Sequence, residues 1–199
     1  LGLREIGEEF KLYLRLTRGN TIARRYFIMN SFDGIVTIMG VITGSIVSGI
    51  INPLIIIGIG LSTALAMGMS GIAGTFIAEK TERDIEIRNL EDSLLSDLKN
   101  TVYSRAIKFT ILYVSIVAAV PPIIAALIIL FPLFLSTLNM IPSVTAIYVS
   151  LATALLYLFI MGSLLSKITK KNILLEGLKM MMIGVLTAIL IILLFGMPG

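Results

Sequence analysis

One carboxylate, Asp33, interrupts a stretch that is otherwise able to cross a membrane. It is the only charge between Tyr26 and Ile51, a span long enough for a hydrocarbon core of about 30 Å. An ionisable side chain near the bilayer centre costs roughly 3 kcal/mol or more, so it calls for a counter-charge, a proton or an ion. Asp33, Thr37, Gly40, Gly44 and Ser48 recur at helical spacing. The carboxylate therefore shares a face with a stripe of small residues, along which a second helix can approach closely. Such a group is an ion- or proton-binding site at a helix–helix seam, or an Asp near one helix end bonded to neighbouring backbone. The rarity of acids inside membranes favours the first.

A second acidic group lies further along. Glu79, Glu82 and Glu86 fall on one helical face, a spacing at which oxygen ligands can share a divalent ion. Lys80, Arg83 and Lys99 are interspersed with them, and mixed charge is what any solvated helix shows, which is the simpler reading. With no His and no Cys in the chain, disulfides, zinc-type sites and imidazole relays are excluded. Any metal is held by carboxylate, hydroxyl, carbonyl or Met sulfur, which favours hard or borderline divalent ions. Met67, Met69, Thr75 and Thr37 carry sulfur or hydroxyl oxygen of that kind on the first two spans, as candidate companions of Asp33. Glu176 is expected to pair with Lys179 or Lys171. An enzyme is not expected, since a membrane phosphotransferase needs several acids gathered at one level and the membrane stretches hold one.

The elements that must position these groups are helical. A mean hydropathy of +1.00 with 57% hydrophobic and 14% charged residues marks an integral, multi-pass membrane protein rather than a soluble domain, placed in the cell membrane if the source is prokaryotic. The fold class is all-α, with five transmembrane helices expected at about 26–51, 54–78, 106–131, 143–165 and 172–195. An amphipathic helix within residues 1–25 precedes them, without the apolar core of a signal sequence, and the native start is expected upstream of Leu1. Its apolar side carries Leu3, Ile6, Phe10 and Leu14, its polar side Arg4, Glu8, Lys11 and Arg15, and Gly19-Asn20 is its expected stop. Lying on the membrane surface and packing on a cytoplasmic loop fit that pattern equally. Residues 79–105 form a charged cytoplasmic helical loop, breaking near Asn100 or earlier.

Asn52-Pro53 predicts a tight turn, so that the first two spans form a hairpin. Gly60, Gly68 and Gly74 join Gly40, Gly44 and Ser48 as expected helix-packing or dimer-face positions. Pro121-Pro122 interrupts the third span. All sixteen Lys and Arg residues fall before residue 26, within 79–108 or within 166–179. The positive-inside rule then places the N-terminus and both loops in the cytoplasm and the C-terminus outside. Five short spans enclose little by themselves, which points to a homodimer.

With these landmarks the chain resembles the vacuolar iron transporter (VIT) family over roughly residues 24–197. The likeness rests on Asp33-Gly34-Ile35-Val36 with Gly40 and Gly44, on Ser70-Gly71-Ile72-Ala73-Gly74, on the prolines of the third span, and on Gly177-Leu178-Lys179-Met180-Met181-Met182-Ile183-Gly184. The resemblance implies a dimer of five-helix protomers that exchanges ferrous or similar divalent ions for protons, with Asp33 on the path. The family's second helix reads Ser-Met-x-x-Gly-Glu, and here the Met and Glu positions are Gly71 and Thr75. Longer members carry a Glu-rich cytoplasmic metal-binding domain, for which the loop here is short.

The functional expectation is a transporter of divalent cations, Fe2+ or Mn2+, acting as an antiporter with protons. Candidate metal ligands are Asp33, Glu79, Glu82 and Glu86. Partners are the lipid bilayer, a second copy, divalent cations and protons, with no nucleic acid and no permanently bound cofactor. The alternative is a non-transporting scaffold whose small-residue faces bind partner helices and whose charged loop docks a cytoplasmic protein. Orientation is testable directly, because a chain without cysteine takes single-cysteine probes cleanly. In intact cells, Leu95→Cys should resist a membrane-impermeant maleimide and Asn139→Cys should react; the reverse pattern would invert the topology.

Overall fold

The computed structural model describes residues 3–98 and 101–196. Every regular element among them is helical: α1 (Leu3–Leu16), α2 (Gly19–Val47), α3 (Pro53–Leu94), α4 (Val102–Thr137), α5 (Ser143–Thr169) and α6 (Ile173–Phe195). Helices α2 to α6 are long and apolar enough to cross a membrane, and a helix satisfies its own backbone where water cannot. The chain divides into two compact units, one of residues 1–27 and 69–120, the other of 28–68 and 121–199.

Helix ends follow backbone rules that the apolar pattern hides. The second helix stops at Val47, short of the expected Ile51, because Gly49 takes a left-handed conformation with φ of 72°. The Ile50 and Gly49 amides bond back to the Ser45 and Ile46 carbonyls at 2.9 and 3.0 Å, a Schellman stop. The Asn52 side chain then accepts from the Leu54 amide at 3.0 Å, with Pro53 opening α3, so this part of the expected turn is an N-cap. Asn172 caps α6 in the same way. After α1 the left-handed residue is Arg18, φ 55°, rather than the expected Gly19. Gly19 instead opens α2, where a Cβ would stand 2.6 Å from Leu14 Cδ2 and 3.0 Å from Thr110 Cγ2.

α4 runs as one helix through Pro121, Pro122 and Pro132, past the predicted end at 131, since a membrane helix tolerates Pro where its surroundings satisfy the freed backbone groups. Its true stop is Asn139, left-handed at φ 59°, with Met140 donating to the Leu135 carbonyl at 3.1 Å. α3 continues unbroken from its membrane half into the charged segment and ends at Leu94, with Leu95 left-handed. The break lies before Asn100, which itself falls outside the described residues, as does Lys99.

In the unit holding residues 28–68 and 121–199, the core is built by Ile35, Ile38, Met39 and Ile42 of α2, Ile56 and Ile57 of α3, Ile129, Leu130 and Leu133 of α4, and Ala154 and Leu158 of α5. Glycine sets the closest approaches. A Cβ on Gly34 would lie 2.7 Å from Pro122 Cα, so α2 and α4 meet backbone to backbone. Gly162 and Gly177 do the same for α5 and α6, where a Cβ on Gly162 would come 2.9 Å from Gly177 Cα. α6 is otherwise almost wholly exposed, as a lipid-facing helix is.

Gly34→Ala should therefore destabilise the protein by about 1–3 kcal/mol through overpacking against Pro122. Gly58→Ala, whose Cβ meets nothing within 4 Å, should be neutral or gain up to about 1 kcal/mol from helix propensity. Thermal unfolding of the two variants in detergent measures the contrast, and equal melting would refute the close approach.

Candidate functional site

The α2 core residues Ile35, Ile38 and Ile42 are fully buried and fix the rotation of the helix. At 100° per residue, Asp33, Thr37, Gly40 and Gly44 fall on the opposite side. Asp33 is accordingly exposed, Thr37, Gly40 and Gly44 are half-buried, and Ser48, just past the helix end, is exposed. Among the described residues the Asp33 carboxylate has no hydrogen bond and no ion pair. The bonded-to-backbone reading of this residue is thus not what the structure contains. Buried hydroxyls on the same helix behave otherwise: Thr43 and Ser45 donate to the Met39 and Val41 carbonyls at 2.9 and 2.8 Å, which keeps them satisfied inside the apolar unit.

The expected packing glycines separate into two kinds. Gly60 is tightly covered, since a Cβ there would stand 2.7 Å from Leu130 Cδ1. Gly40 faces only the tip of Ile191 at 3.6 Å, and Gly44 and Gly74 have nothing within 4 Å. Gly68 is buried. The open positions of α2 thus lie on the Asp33 side. Met67 is half-buried in the same unit as Asp33, whereas Met69 (exposed) and Thr75 (buried) belong to the other.

In that other unit the three glutamates of α3 have three different environments. Glu79 is buried, 2% exposed, and its carboxylate meets Arg25 Nη2 at 3.5 Å. Arg25 itself lies largely in the open and stacks over Tyr26, 5.1 Å from the ring centroid. Glu82 is exposed. Glu86 accepts from Tyr103 Oη at 2.7 Å on one oxygen and from Arg83 on the other. Arg83 in turn donates to the Thr17 carbonyl at 2.9 Å, capping the end of α1, and Thr17 and Thr110 share a hydroxyl hydrogen bond of 2.7 Å. Charge-assisted bonds of this kind outcompete a loose acidic face. The expected set Glu79, Glu82 and Glu86 is therefore not gathered: among the described residues no group of three acids stands close enough to hold one ion. Glu176 pairs with Lys179 at 2.8 Å, as its spacing predicts.

Two features escaped the sequence. Glu79 is buried because Thr75 and Glu79, one turn apart, both turn inward in their unit, and a mixed-charge run hides which acid does so. Ser150 is fully buried with its Oγ bonded to nothing among the described residues, and a lone Ser in an apolar span gives no warning of that. The Arg25–Glu79 pair generates an asymmetry. Arg25→Met leaves a buried carboxylate without its counter-charge, beside the Tyr26 side chain, whereas Glu79→Gln leaves only a solvated guanidinium. In thermal unfolding, R25M should melt several degrees lower, on the order of 1–3 kcal/mol, and E79Q should change stability by less than about 1 kcal/mol. The opposite order would show that the pair is not the carboxylate's main support.

The geometry is that of a membrane protein with one open, unpaired acid on an apolar span, and comparison with known proteins agrees with it. The model of the VIT family matches residues 24–104. An uncharacterized protein of Methanocaldococcus jannaschii is 32% identical over 170 residues, which is 83% of this chain and 85% of that protein. No solved structure matches the chain. With five spanning helices and these matches, the chain belongs to the VIT family of membrane metal-ion transporters.

Proposed function

We propose that this protein exchanges divalent cations of the iron–manganese class for protons across the membrane, with Asp33 holding the metal when ionised and releasing it when protonated. The observation that carries the reading is the state of that carboxylate: exposed on its protomer and bonded to no described group. An acid left so within a membrane span needs a visitor that brings positive charge. Thr37, one turn on, offers a hydroxyl oxygen, and Met67 offers a soft sulfur.

The same reading takes the protein as a homodimer. A carboxylate turned to lipid alone is costly, while a facing copy of α2 would shelter it. The uncovered Gly44, about three turns further along the same face, leaves room for close approach, which is how small residues support association in lipid. Glu82, exposed beyond the membrane half of α3, adds diffuse attraction for cations. The scaffold alternative assigns Asp33 no chemistry.

Reconstituted vesicles decide between the two. Fe2+ or Mn2+ uptake should depend on the pH difference, and Asp33→Asn should reduce it to the level of protein-free vesicles while leaving thermal stability unchanged. Full flux in D33N would overturn the mechanism; absence of metal flux in the unaltered protein would leave the scaffold.

A further inference from the structure

The geometry of α1 points to a second binding surface, and we propose that this helix is an anchor for anionic lipid headgroups. The inference is independent of the transport reading. It begins with how α1 meets α4. The Phe10 ring stands edge-on to Phe109 and Tyr113, with centroids 5.5 and 5.6 Å apart, and Tyr13 is tilted against Phe109 at 5.8 Å. Thr17 reaches Thr110 at 2.7 Å. Residues 10 to 17 of α1 thus lie against residues 109 to 113 of α4, where α4 crosses from its charged first turns into an apolar stretch.

The level of that crossing is set by α4 itself. Its exposed residues run Arg105, Lys108, Leu112 and Ile116, and beyond Lys108 the helix carries no further charge. A spanning helix places such a change at the headgroup layer, where basic side chains snorkel. The α1 contacts fall within the first turns past it.

What α1 turns outward fits the same layer. With Leu14 and Thr17 buried, the exposed residues among the described side chains are Glu8, Glu9, Phe10 at the edge of its ring contacts, Lys11, Leu12, Arg15, Leu16 and, just past the end, Arg18. Glu9 is turned back to accept from Tyr13. Leu12 and Leu16, one turn apart, are 47% and 45% exposed, an apolar ridge beside three cations, with Arg105 and Lys108 adding two more. A helix with apolar and basic residues side by side seats itself at the boundary of acyl chains and anionic headgroups.

The chain contains no Trp, so Leu12→Trp reports its own surroundings in the full protein reconstituted in vesicles. Fluorescence of L12W should be quenched by brominated lipid and protected from aqueous iodide. At equal mole fraction, brominated phosphatidylglycerol should quench roughly twofold or more beyond brominated phosphatidylcholine, because basic residues enrich anionic lipid. K11Q, R15Q and R18Q together should remove that excess while lipid quenching itself persists. Equal quenching by the two lipids would overturn the headgroup site, and quenching by iodide alone would overturn the interfacial seat and leave α1 to a soluble partner. Retained metal flux, or its loss, in the triple variant bears on neither result.

Discussion

The contact between Gly34 and Pro122 governs how this protein presents its one intramembrane acid. Because neighbouring helical residues are 100° apart, pressing Gly34 against the α4 backbone, with Ile35, Ile38 and Ile42 in the core, turns Asp33 away from the core of its unit. No side chain of the described chain answers it. Two facts that look unrelated in sequence, a glycine beside the acid and a proline pair far along the chain, are one arrangement: the glycine removes the Cβ that would hold the helices apart. The cost of the unpaired carboxylate is thereby placed where a mobile cation or a second copy can relieve it.

Much of this is legible in the amino-acid sequence. Five spans, their order and the acid's face follow from hydropathy, charge-free stretches and helical spacing, since the bilayer admits so few backbone solutions. The ends of the spans are less so. Apolar residues continue through Ile50 and Ile51 although the helix has stopped at Gly49, because lipid-facing turns are as apolar as the helices they join. The prolines within the third span do not end α4, since packing rather than propensity decides in a membrane. The glutamates of α3 are the least legible: equal in type and spacing, they are separated by partners, Arg25 for one and Arg83 with Tyr103 for another, and spacing along one helix does not reveal which partner each acid meets. The small residues mislead in part too. Glycines bring backbone against backbone where α5 meets α6 and α2 meets α4, while a Cβ on Gly44 or Gly74, which fit the same pattern, would meet nothing within 4 Å.

Both units bond hydroxyls back to carbonyls four residues earlier, as at Thr43 and Ser45 in one and Thr17 and Ser115 in the other, while Ser150 stays unbonded among the described residues. The unit with Arg25, Glu79, Arg83 and Glu86 pairs its charges with one another and carries that pairing to the end of α1.

The turns at 48–52 and 138–142 contain no charged side chain. Ions approaching that surface feel no long-range pull, so capture there goes by collision alone. By contrast, every lysine and arginine falls before residue 26, within 79–108 or within 166–179, the segments that the positive-inside rule assigns to the cytoplasmic side, where a local field sets how fast ions arrive and how strongly ionic strength matters. Under the transport proposed above, uptake from the two sides would thus obey different kinetics, one indifferent to salt and the other governed by it.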